Sequence, residues 1–114
     1  MMKLIKSFGF AVKGIRAVWR EELNFRIEVA VAVLVVVIGV WRQFLLLEWM
    51  IVVGCIGAVL AAEMVNTAME DLCDRVEPKT DPVIGKVKDM MGGFVLVVAT
   101  GAVLVGGMLI STYF

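Results

Sequence analysis

Glu63, Asn66, Thr67, Glu70 and Asp74 follow one another at spacings of three, one, three and four residues. On a helix turning about 100° per residue they lie within roughly 60° to either side of one line, a polar stripe about three turns long. The stripe begins directly after an uncharged run from Trp49 to Ala62. A carboxylate at the edge of hydrocarbon is expensive to keep there and is a functional candidate for that reason. Partial desolvation suits Glu63 to the work of a general base. Carboxylates on one face could also hold a hard divalent cation such as Mg²⁺ through oxygen. The plain reading of Glu70, Asp71, Asp74 and Glu77 is a solvated helix end. That reading is preferred for Asp71 and Glu77, and a functional one for Glu63 and Glu70.

Two further groups belong beside this stripe. Lys88-Asp89 stands where the last apolar run begins. Lys88 could simply snorkel and Asp89 could cap a helix, yet basic and acidic groups next to an acidic stripe also suit a metal–phosphate complex. Glu22 falls in the middle of an apolar helix face if the first helix continues that far. A chain break near Glu21–Asn24 explains it without any function, and a role in chemistry explains it equally well. Familiar phosphate devices are missing: no G-x-x-x-x-G-K-[ST] loop and no protein-kinase signature set occurs.

The elements that must position these residues are helices in a membrane. Of 114 residues 61% are hydrophobic, and the mean hydropathy is +0.97, so the bilayer is the solvent to assume. The net charge is zero and nothing global suggests nucleic acid. His is absent, and Cys55 and Cys73 lie far apart, which excludes a zinc site of the usual kind and argues against a disulfide. Nothing at the N-terminus reads as a cleavable signal peptide.

Residues 3–22 form an amphipathic helix. Leu4, Ile5, Phe8, Ala11, Val12, Ile15, Val18 and Trp19 share one face, and Lys6, Lys13 and Arg20 line the other. Such a helix lies in the membrane interface, because little soluble core exists for it to pack against. Three apolar stretches follow, expected as helices over about 27–42, 46–76 and 88–112, the second extending into the cytoplasm. They must be helical because lipid offers no partner for an open backbone. The expectation is one all-α membrane domain over residues 1–114. Six Lys/Arg precede residue 29, one lies in the first turn (Arg42), four in the second loop, and none follows. This bias puts the N-terminus and the 63–89 region in the cytoplasm and the C-terminus outside.

The segment Glu63-Met-Val-Asn66-Thr67-Ala-Met-Glu70, then Asp74, then Val87-Lys88-Asp89, resembles the signature of the prokaryotic diacylglycerol kinase family. Trp19-Arg-Glu-Glu22-Leu-Asn-Phe25-Arg26-Ile-Glu28 looks like that family's N-terminal motif, and the match runs without gaps from about Phe8 to Phe94. The resemblance implies a homotrimer of three-span protomers in the bacterial cytoplasmic membrane, with active sites shared between neighbours. It implies ATP with Mg²⁺ as phosphoryl donor. Glu63 would then take the proton from the lipid hydroxyl, and Asn66 would orient it. Glu22 and Glu70 would hold the divalent ions bridging the nucleotide phosphates, and Lys88 and Asp89 would contact the nucleotide. Phe10 and Asp81 correspond to nucleotide-side positions.

Here the sequence departs from the family pattern. Asp81 replaces the usual loop His, Phe10 a common Tyr, Thr67 a common Ser and Val87 the usual Ala, while Gly92-Gly93 replaces other small residues. Two substrates compete within the resemblance. Asn24-Phe25-Arg26-Ile27 looks like the branch that phosphorylates undecaprenol. Glu28, Asp74-Arg75 and Lys88-Asp89-Met90 look more like the branch that makes phosphatidic acid from diacylglycerol, which is preferred. A small cation-coupled transporter using Glu63 is the rival from another class. Such proteins usually need four spans and an acid near the midplane, whereas three spans and a boundary acid are expected here.

Overall fold

Apolar runs that cannot leave backbone groups unpaired in lipid fold as helices, and the computed structural model, which describes residues 1–114, is helical almost throughout. Its elements are α1 (Met2–Glu21), α2 (Leu23–Arg42), α3 (Leu46–Val76) and α4 (Pro82–Ser111). The last three are long and apolar enough to cross a membrane. At about 1.5 Å per residue, the 20 residues of α2 match the ~30 Å of hydrocarbon. The 31 residues of α3 and 30 of α4 exceed it by roughly ten each. Counting about 20 residues from the α2–α3 turn brings α3 out of hydrocarbon near residue 66. Its surplus carries Glu70, Asp71, Asp74 and Arg75, and the surplus of α4 carries Lys86, Lys88 and Asp89.

Local chemistry sets the joints. α1 and α2 are separated by Glu22 alone, whose extended backbone (φ −121°, ψ 108°) breaks the helix. Arg26 Nη1 donates to the Trp19 carbonyl at 3.2 Å, tying the two helices across the break. α2 therefore starts at Leu23, ahead of the expected start near 27. α4 likewise starts at Pro82 rather than near 88. The Asp81 carboxylate accepts the N–H groups of Val83 (3.1 Å) and Ile84 (2.9 Å), and Pro82 occupies the first helical position, where no N–H is needed. Asp81, and not Asp89, is the helix cap.

At the opposite end α2 turns into α3 through Gln43, which takes the left-handed conformation (φ 56°, ψ 60°). The turn closes on Gly39, where a Cβ would stand 2.6 Å from Trp49 Cη2 and 2.8 Å from Phe44 Cδ2. Only glycine lets the rings approach so closely. Phe44 stacks at 5.0 Å from Tyr113 and 5.5 Å from Trp49. The Arg42 guanidinium lies over Phe114 (4.8 Å) and Trp41 (5.2 Å) and donates to the Tyr113 carbonyl. The Tyr113 hydroxyl donates to Glu48, whose carboxylate also accepts the Leu45 N–H at the start of α3. Three helix ends are thereby clasped together. Glu48 also holds the Tyr113 hydroxyl above the usual phenol pKa, first by accepting a hydrogen bond from the protonated hydroxyl and then because ionisation would bring two anions together.

The chain builds little core of its own. Only ten of 114 residues are buried, α4 contributes none, and the radius of gyration is 16.9 Å where a compact chain of this length has about 13 Å. Along α1, Leu4, Ile5, Phe8 and Trp19 are exposed.

Candidate active site

Three of the ten buried residues are polar, and all three belong to the stripe: Glu63 is 2% exposed, Thr67 4% and Asn66 8%. The first turn of the stripe therefore faces into the protein, where an unpaired polar group is costly, while Glu70 is half-buried and Asp74 exposed. The Thr67 hydroxyl donates back to the Glu63 carbonyl at 2.9 Å, a bond internal to the helix that leaves the Glu63 carboxyl free. The Asn66 amide donates to Glu70 Oε1 at 3.4 Å, one turn along. The geometry thus joins Asn66 to Glu70 rather than to Glu63.

Across from α3 stand two more carboxylates. Glu28 on α2 faces Glu63 directly, and Glu22 at the α1–α2 break acts electrostatically on both. Glu70, about 10 Å further along α3, also acts on Glu63. Glu28 Oε2 and Asn66 Oδ1 are buried without any hydrogen-bond partner. Such atoms are few in folded proteins, and buried oxygens without a donor suit contact with a cation or an incoming hydroxyl. No lysine or arginine pairs with these four acids, since the protein's single ion pair is Lys88–Asp74.

The donor set decides which metal fits. Carboxylate and amide oxygens are hard ligands suited to Mg²⁺. No three of them converge closely enough to chelate an ion unaided. Mg²⁺ is usually held by one or two carboxylates together with phosphate oxygens and water, so Glu22 and Glu70, both half-buried, fit an ion that arrives with a nucleotide.

A polar cleft of about 240 Å³ opens between the end of α3 and the start of α4. Asp74, Asp81 and Lys88 line it, and Lys88 also senses the charge of Glu70, which links cleft and cluster. Asp89 is exposed next to Lys88. Phe10 is exposed on α1, about 18 Å along that helix from Glu22, with Lys13 Nζ 5.6 Å from its ring centre. This chain alone does not bring Phe10 to the cleft. Asp71 is exposed and faces Glu21, holding the Glu21 carboxyl above the usual carboxylate range through a shared hydrogen bond and like charge.

Glu28 is the residue that sequence reasoning passed over. A carboxylate in an apolar span is a signal in itself, yet in the sequence Glu28 counts only as the last residue of the N-terminal motif and as a mark that separates the substrate branches. Beyond Glu28, an apolar cavity of about 400 Å³ runs between α2, α3 and α4, lined by Val31, Val35, Val52, Cys55 and Val103 among others. Glu28 is its sole charged wall.

The chain is 30% identical over 112 residues to a diacylglycerol kinase of Escherichia coli, covering 98% of this chain and 92% of that protein. It is 34% identical over 104 residues to an undecaprenol kinase of Bacillus subtilis, covering 91% and 85%. A diacylglycerol kinase of Helicobacter pylori is 27% identical over 114 residues, covering 98% and 88%. The profile of one family, described as prokaryotic diacylglycerol kinase, matches residues 9–110. Carrying that match over most of its length, with both sequence motifs inside it, this chain belongs to the prokaryotic diacylglycerol kinase family.

Proposed function

We propose that this membrane protein transfers the γ-phosphate of ATP to the hydroxyl of diacylglycerol, giving phosphatidic acid and ADP. The observation that carries the reading is the buried Glu63 carboxylate beside Glu22, Glu28 and Glu70, at the level where α3 leaves hydrocarbon. A lipid hydroxyl reaches that level while its chains remain in the bilayer. The apolar cavity that starts at Glu28 offers a wall for hydrocarbon.

In this reading Glu63 accepts the hydroxyl proton as the lipid oxygen attacks the γ-phosphorus and the bond to the β–γ bridging oxygen breaks. No covalent enzyme intermediate is needed, and positioning with charge neutralisation supplies the catalysis. Bound Mg²⁺ would neutralise phosphate charge, with Glu22 and Glu70 holding it. Asn66 keeps Glu70 in place. Lys88, with Asp89 next to it, meets the nucleotide from the cleft that Asp81 also lines. Phe10 completes the nucleotide side from a neighbouring copy, or by movement of α1.

The sparse burial supports a homotrimer in which other copies cover α4 and share the sites. The exposed apolar side of α1 supports its lying on the membrane. The Lys/Arg bias supports a multi-pass protein of the bacterial cytoplasmic membrane with its active site cytoplasmic and its C-terminus outside. A second substrate reading, undecaprenol, has the 34% identical Bacillus relative in its favour. Incubating the purified protein with labelled ATP and each lipid separates the two. Labelled phosphatidic acid is the expected product, and undecaprenyl phosphate alone would transfer the assignment to the other alcohol.

A further inference from the structure

The protein has 11 basic and 11 acidic residues but a single salt bridge, between Lys88 on α4 and Asp74 on α3. The pair spans the mouth of the polar cleft rather than any core. Its side chains are 36% and 63% exposed, and ion pairs as open as this stabilise a fold little. Stability is therefore a poor account of why it forms. A lysine ammonium carries three N–H donors, and its four-carbon stem is free to swing. With one donor committed to Asp74, two remain for a ligand in the cleft, and the stem is already ordered. Ordering a side chain before a ligand arrives lowers what binding must spend on it.

We propose that Asp74 is a positioning residue for the nucleotide: it holds the Lys88 ammonium at the cleft mouth so that a phosphate oxygen joins a preset donor. This rests on the kinase reading for the identity of the ligand.

The test compares Asp74→Asn, Asp74→Glu, Lys88→Met and the double variant Asp74→Asn/Lys88→Met with the parent protein. Two quantities are read: KM and kcat for ATP at saturating Mg²⁺ and diacylglycerol, and the Kd of a non-hydrolysable ATP analogue with Mg²⁺. Asp74→Asn is expected to raise KM and Kd about tenfold while kcat stays within about threefold, because pre-ordering acts on binding. Asp74→Glu is expected to recover most of the loss. The double variant should match Lys88→Met alone, since Asp74 acts only through Lys88. Losses that multiply in the double variant, or an Asp74→Asn protein with unchanged Kd, would overturn the proposal. A parent protein that phosphorylates neither diacylglycerol nor undecaprenol would sink the kinase reading instead, and the Kd series would still decide the role of Asp74.

Discussion

Glu70 and Asn66 share a hydrogen bond one helical turn apart, while Glu63 keeps its carboxyl clear of both. If Asn66 serves Glu70, losing either should harm the same step. Glu70→Gln is expected to weaken Mg²⁺-dependent nucleotide binding, because a neutral amide is a poor ligand for a hard cation. Asn66→Ala should weaken it too, and combining the two should add little. Titrating Mg²⁺ and a non-hydrolysable ATP analogue into each variant checks this. A fall in kcat at unchanged affinity for Asn66→Ala would reassign the amide to Glu63. At this scale the sequence was informative about α3, because one helical period suffices to collect Glu63, Asn66, Thr67 and Glu70 on a face. It was silent on which of them bond to each other. It also hid Glu28, because nothing along the chain tells a carboxylate facing another helix from one at the end of a span.

The elements were readable wherever composition alone decides. Three uncharged runs in lipid leave the backbone no alternative to helix, and all three are helices in the structure. Their ends depend on capping and tertiary contact, which hydropathy does not record, most clearly at Pro82, which starts α4 under the Asp81 cap. The α2–α3 turn was visible only as a polar break at Arg42-Gln43, because the need for glycine at position 39 comes from rings of Phe44 and Trp49 that fold back onto it. Gly39→Val is expected to destabilise this end by about 1–3 kcal/mol through overpacking, read as earlier thermal unfolding in detergent. Unchanged unfolding would mean that the turn opens freely.

α1 meets α3 through a pair of acids, so its docking should depend on pH. The Glu21 pKa is raised by Asp71, so the folded protein binds this proton more tightly than the unfolded chain does. The docked arrangement is therefore favoured below the ordinary carboxylate range and loses that contribution as pH rises through the elevated Glu21 value. Glu22 is the other charge that acts on Glu21. Hydrogen exchange of α1 amides should accelerate over that window after correction for its intrinsic pH dependence, and Glu21→Gln should flatten the response. Identical corrected profiles for parent and variant would show that the pair does not govern docking.

As a whole the molecule is an incomplete globule, with an α4 that buries nothing, uncharged from Met90 onward, and a cluster of acids that no lysine or arginine pairs. Both features fit the proposed reading, in which copies of the chain cover α4 and the acids meet a nucleotide that brings its own cation. Whether and how copies pack together depends on the shapes of surfaces that one chain leaves open, and hydropathy carries no record of it.

The most direct test of the account is phosphate transfer by Glu63→Gln. With diacylglycerol, Mg²⁺ and labelled ATP, the variant is expected to lose turnover by at least about 10²-fold, the span of general-base catalysis being 10²–10⁴, while still binding the nucleotide with Mg²⁺. Turnover near that of the parent protein would contradict the assignment of the buried carboxylate as the base.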